Sequence, residues 1–443
     1  MKTKKIYAWT VYVVCLLGFL AVQGVSGQTN TVIMSEPTLR LNSFMHQAVI
    51  HRIASDSRGR YVITASDDKT ARLWNASSGE LIQVFRPPID AGNEGKLYAC
   101  ALSPDGSIAV VGGYSGWDWY HETAIYIFDT RTGAMIKRIS GFSSIVVDLE
   151  FSPSGAYLAV GCDSTAGVAI IDTQKWEIYR RIMDSQDGVF DMSFASDGRF
   201  VTASDDGNIR LYSPSFTLER SIRSTGGSEP HSIQFSPDGT RIAVGHLETS
   251  RIQVLNSKNL SLLYEADVTG TDTSYTLNIV AWSRDGANLY AGGFFMRQED
   301  GVWKSKLRVW DQGGRGSYRD YTAGANRIYD IKVFPDETIL IAGGFPEWLR
   351  LSRNGETIID KKAENFSFLS TNTTHLKVTP DAQSVLFTPF EGLPCAFSVT
   401  AETFTELKED EASPFPLAES AKTEAPGIKL TDWALTTQPK LNG

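Results

Sequence analysis

Leu102-Ser103-Pro104-Asp105-Gly106, Phe151-Ser152-Pro153-Ser154-Gly155 and Phe235-Ser236-Pro237-Asp238-Gly239 are three copies of one phrase. Each joins two short apolar runs, and Asp-Gly or its equivalents supply hairpin-turn chemistry between them. Phe194-Ala195-Ser196-Asp197-Gly198 and Trp282-Ser283-Arg284-Asp285-Gly286 are variants. Weaker copies fall at Gly59, at Pro335-Asp336-Glu337 and at Pro380-Asp381-Ala382. The spacing is roughly 40–50 residues, the period of a four-stranded propeller blade. One such unit cannot bury both faces of its sheet, whereas a closed ring of them can. The sequence therefore predicts an all-β propeller. Eight four-stranded blades are favoured, with seven blades plus a stray repeat as the alternative. No long helical periodicity competes with this reading.

The repeats place the propeller at 46–407, with blade ends near 87, 139, 183, 223, 268, 322, 362 and 407. Residues 1–27 read as an export signal. Lys2, Lys4 and Lys5 precede the apolar run Ile6 to Val22, and Val25-Ser26-Gly27 fits a cleavage site. The expectation is an exported protein, periplasmic or secreted, with an uncleaved membrane anchor as the alternative. Residues 28–45 form an N-terminal segment in which 38–44 can make a ring-closing strand. Residues 408–443 have the acidic, Pro-containing composition of a linker or tail.

The net charge is −9, and about −12 once the first 27 residues are removed. So acidic a chain is a poor general binder of nucleic acid or anionic membrane. Cys100, Cys162 and Cys395 fall in three different repeats without a CxxC pair. They read as buried thiols, not as a disulfide framework or a zinc site. Asn75, Asn259, Asn365 and Asn372 open Asn-x-Ser/Thr sequons.

Thr64-Ala65-Ser66-Asp67-Asp68-Lys69-Thr70-Ala71-Arg72-Leu73-Trp74-Asn75 resembles a WD40 repeat. The resemblance covers about 46–407. It implies a structural hydrogen-bond network in which Asp68 accepts from turn amides and His46, His46 reaches Ser66, and Ser66 reaches the Trp74 indole. Repeat four keeps Ser204, Asp206 and Tyr212 without a His, and repeat six keeps Trp310-Asp311 with a longer turn. Arg86-Pro87-Pro88, Gly92 to Tyr98 and Asp311 to Gly316 are similar to a group of large bacterial WD40 proteins, some carrying a caspase-like peptidase domain. No candidate Cys–His dyad occurs in this chain, so that resemblance implies only the propeller part.

WD40 propellers carry the loops before the first strand and between the second and third strands on one face. Two of the latter are enlarged and aromatic. One holds Trp117, Trp119 and Tyr120; the other runs from Phe294 through Arg297 to Trp303. Repeat seven adds Trp348. Exposed aromatics with Arg are typical of protein-binding hot spots, although each loop can instead fold onto its own blade. Register gives a second set near the channel mouth: His51, Tyr98, Val147, Phe190, His231, Asn278, Tyr329 and Thr374. These suit a peptide or a protein loop, or are ordinary strand ends. The next position holds Asp148, Asp191 and Asp330. They read as hydrogen-bond acceptors ahead of a cation site, because Ala99, Ser232 and Ile279 break the ring of acid. No GxSxG, HExxH, P-loop or nucleotide fingerprint appears. The sequence predicts no enzyme, no metal and no cofactor, but a scaffold for a protein or peptide partner. A ligand-binding or enzymatic channel site is the alternative.

Overall fold

The computed structural model describes residues 45–362 apart from 91, 117–120, 165–166, 248, 272–276 and 345, together with 377–378, 381, 383–387, 395–398 and 403–406. The segments 1–27 and 408–443, and the expected ring-closing strand at 38–44, lie outside the described residues.

The repeated phrase is a turn that the side chains build themselves. In the copy at 102–106, the Ser103 hydroxyl donates to Asp105 Oδ1 (2.6 Å) and accepts from the Ile108 amide (3.0 Å). Asp105 in turn accepts from the Ser107 amide (3.0 Å), and the Gly106 amide closes on the Ser103 carbonyl (2.8 Å). Gly106 takes φ 71°, a conformation that a side chain disfavours. The copy at 235–239 repeats the pattern, with Ser236 to Asp238 at 2.5 Å and Gly239 at φ 67°.

Each turn joins the first two strands of an antiparallel meander. The strands are β1–β4 (50–85), β5–β8 (96–142), β9–β12 (146–182), β13–β16 (189–223), β17–β20 (230–265), β21–β25 (279–322), β26–β29 (328–362) and β30–β33 (377–406). The first strands β1, β5, β9, β13, β17, β21 and β26 are neighbours in that order, and β26 (Ile328–Val333) returns to β1 (Ile50–Ser55). The ring therefore has seven blades. This corrects the favoured count of eight and matches the alternative: the eighth repeat forms a four-stranded sheet that takes no place in the ring.

The core is divided in the same way. Seven apolar clusters fill the seven junctions between successive blades. One of them joins Ile53, Val62 and Trp74 of blade one to Phe334, Leu340 and Trp348 of blade seven. Cys100 and Cys162 lie buried and unbridged within such junctions. Burial pushes the Cys162 thiol up to about 12, so it is inert at neutral pH.

Side chains also lace the inner strands. Asp148 accepts from the Met192 amide (3.1 Å), Asp191 from Ile233 (2.8 Å) and Ser232 from Val280 (3.2 Å). Asp330 accepts from the Ile53 amide (3.0 Å), the same step carried from blade seven to blade one. The three aspartates are thus acceptors in the lacing between blades. Their positions carry information about closure, because each needs a following blade to serve.

Candidate functional site: the mouth of the channel and its face

The start of every first strand and the end of its second strand share one end of the blade, as the pairing of Val146 with Cys162 illustrates. At that end the ladder is interrupted by a β-bulge in six blades. The extra residues are His51, Tyr98, Val147, Phe190, His231 and Tyr329. In blade six, Asn278 immediately precedes β21 (Ile279–Trp282). A bulge re-aims a side chain out of the regular alternation, and here it gathers one side chain per blade. His51 packs edge-on against Tyr98 (4.8 Å between ring centroids) and Tyr329 (5.3 Å), and Phe190 packs against His231 (5.2 Å). The Arg327 guanidinium lies 5.0 Å from the Tyr329 ring centre. All but the fully buried Asn278 are half-buried. Thr374, the eighth member expected from register, lies outside the described residues.

Below the mouth the channel is ionic. Arg52 reaches from blade one to the Phe190 carbonyl of blade four (2.6 Å) and lies 3.6 Å from Asp148. Lys332 stands 4.0 Å from Asp330. Burial works against the Lys332 charge, but Asp330 and Glu150 outweigh it and hold the ammonium above its usual range. Burial raises the Glu150 carboxyl to about 7, and burial with the nearby Arg52 and Arg327 charges lowers the His231 imidazole to about 3. Among the described residues, no group of three or more His, Cys, Asp or Glu is placed to hold a metal ion.

The enlarged loop of blade six is a hairpin of β23 (Met296–Glu299) and β24 (Val302–Trp310). Its tip exposes Val302 (58%) and Trp303 (51%). Its stem is anchored. Arg297 donates to the Gly270 carbonyl (2.7 Å), and Lys306 is held by Glu299 and by Thr322 (2.8 Å). Trp348 is a correction. It is the second residue of β28 (Glu347–Leu351), fully buried, with its ring 5.7 Å from Trp74 across the blade junction. It is packing, not exposed loop. Trp117, Trp119 and Tyr120 lie outside the described residues.

The network of blade one also differs from expectation. His46 Nδ1 pairs with Asp68 Oδ2 (2.9 Å), but Nε2 meets Thr64 Oγ1 (2.7 Å), and Thr64 also accepts from the Trp74 indole (2.9 Å). Ser66 instead donates to the Ala48 carbonyl and accepts from the Asp68 amide. The register explains it. Trp74 stands opposite Val62, so Thr64 is its diagonal neighbour and Ser66 is a further pleat away. Burial opposes the Asp68 charge, yet His46 and Arg72 hold that carboxyl well below the usual range.

The family profile of the WD domain, G-beta repeat, matches residues 39–75, 133–168 and 177–213. The fold is a WD40-type β-propeller. This propeller is similar to WD repeat-containing protein VIP3 of Arabidopsis thaliana, with 28% identity over 125 residues, 28% of this chain and 35% of that protein. It is similar to transcription initiation factor TFIID subunit 5 of Caenorhabditis elegans, with 27% identity over 169 residues, 38% of this chain and 24% of that one. WD repeat-containing protein 1 of Rattus norvegicus is 29% identical over 220 residues, 48% and 34% of the two chains. The chain thus spans about a third or less of these relatives' lengths. All three are eukaryotic and do not bear on the resemblance to large bacterial WD40 proteins.

Proposed function

We propose that this WD40 propeller is a non-catalytic scaffold that presents its loop face to a protein partner. The observation that carries the reading is the coincidence, on one face, of six bulge-directed mouth residues with the anchored hairpin that exposes Val302 and Trp303. A rigid aromatic tip on a braced stem loses little entropy on binding, which favours a protein interface. In the channel below, Arg52 is engaged by Asp148 and the Phe190 carbonyl and Asp330 by the Ile53 amide, which favours the face over the channel as the working surface. One relative is by name a subunit of a larger assembly, in keeping with such a role.

The test is capture of partners from the native host by the wild type and by a Trp303→Ala, Tyr98→Ala double variant. Loss of capture with an unchanged thermal midpoint supports the reading, and undiminished capture overturns it. Export is a second part of the proposal, resting on the positive end and apolar run of residues 1–27. The intact mass of the native protein tests it. A mass starting at Gln28 supports export, and a retained Met1 end contradicts cleavage. A much larger mass favours the remaining reading, the propeller arm of a longer protein, which the partial coverage of the relatives makes worth testing.

A further inference from the structure

At the junction of blades one and seven, three side-chain donors are buried without a hydrogen-bond partner: Arg72 Nη1, Arg86 Nε and Trp348 Nε1. Guanidinium and indole N–H groups can only donate. What they lack is therefore an acceptor. Arg72 is 2% exposed and stands opposite Val84 of β4 (Leu81–Phe85). Arg86, two residues beyond Val84, is its diagonal neighbour on the same face. Thr64, opposite Arg72 on the other side, bonds the Trp74 indole, and Trp348 packs on Trp74.

The carboxylate in reach is Asp68, 3.7 Å from Arg72 Nη2. It is already engaged by His46, the Gln47 amide (3.1 Å), the Thr70 amide (2.9 Å) and the Thr70 hydroxyl (2.6 Å). Arg86 has no hydrogen bond or ion pair among the described residues. Other blades show this arginine position forked onto a carboxylate, in blade four onto one that the Gln186 and Asn208 amides also engage (2.8 and 2.9 Å). In blade four, Arg210 forks onto both oxygens of Asp206 at 2.5 and 3.1 Å, and the small Ser185 makes the corresponding contact there. In blade six, Arg308 forks onto Asp320 at 2.7 and 2.9 Å. Blade one sets two guanidiniums against one shared carboxylate.

We propose that this junction binds a small oxyanion, held by Arg72, Arg86 and the Trp348 indole N–H. The planar guanidinium fork matches a carboxylate or a phosphoryl group. Two guanidiniums, Arg72 and Arg86, stand against the single carboxylate of Asp68, which suits a monoanion. Arg86 is half-buried, whereas Arg72 and Trp348 are fully buried.

The experiment is thermal unfolding of the full chain in inorganic phosphate, acetate or chloride at equal ionic strength. A ligand that binds only the folded state raises the midpoint by mass action. The wild type should show a saturating rise of a few degrees in phosphate or acetate over chloride, and the anion giving the larger rise tells a phosphoryl ligand from a carboxylate. Arg86→Gln should abolish the rise, Trp348→Phe should weaken it, and Arg131→Gln on an exposed turn should keep it. An equal rise in Arg86→Gln reduces the effect to general salt exclusion and overturns the site. So does the absence of any rise with both anions.

Discussion

Thr64 shows how one residue decides the order of a network. Its hydroxyl serves both His46 and the Trp74 indole. Thr64→Val should therefore strand two buried donors or acceptors and cost on the order of 1–3 kcal/mol in denaturant unfolding, whereas Thr64→Ser should be nearly neutral. Glu347 offers a pH signature. Burial raises its carboxyl to about 7 although it accepts from the Ala325 amide (2.8 Å). With the folded value above the unfolded one, the folded state holds a proton that the unfolded state releases. Its stabilising contribution is full below the ordinary carboxylate range and is lost as pH rises through about 7. Relative to Glu347→Gln, the wild type should lose on the order of 1–3 kcal/mol between about pH 5 and pH 8. A pH-independent difference would contradict this. The members His46, Asp68 and Trp74 were legible because a tight turn and a strand-end Trp leave a sequence pattern. The bridging hydroxyl was not, because two hydroxyls two residues apart share a face and only register tells which one meets the indole.

Among the elements, the bulges are the feature that most shapes the candidate site. The sequence indicated which residue of each repeat comes near the mouth, by counting back from the Ser-Pro-Asp-Gly phrase. It did not indicate why six different side chains turn the same way, since a bulge leaves no mark in an apolar run that is buried on both faces. Trp348 was misplaced for a related reason. Phe345-Pro346 reads as a loop, but β28 starts at Glu347, and the junction with blade one buries Trp348 directly after it. The β23–β24 hairpin, by contrast, was visible as an insertion. Trp303→Ala at its tip should change folding stability by no more than about 0.5 kcal/mol, because the side chain is half exposed and its removal opens no cavity. A large loss of stability would mean that the tip folds onto the blade and is unavailable to a partner.

For the whole molecule, period and closure are separate facts. The repeat period made the propeller and its four-stranded blades legible, and it counted eight units. The number in the ring depends on which inner strand meets β1, a contact between residues far apart in sequence. Asp330 makes that contact by accepting the Ile53 amide, and Arg350 reinforces it through the Ala76 carbonyl (2.6 Å). Asp330→Ala should cost about 1–3 kcal/mol and speed hydrogen exchange at the Ile53 amide in particular, as a lost closing bond requires. The most direct test of seven-bladed closure is to end the chain after Lys362, the last residue of β29, and follow its thermal unfolding. A ring closed between blades one and seven predicts a single cooperative transition with a midpoint close to that of the full chain. Loss of the cooperative transition, with near-ultraviolet dichroism and Trp burial lost as well, would mean that the eighth repeat is needed to close the ring.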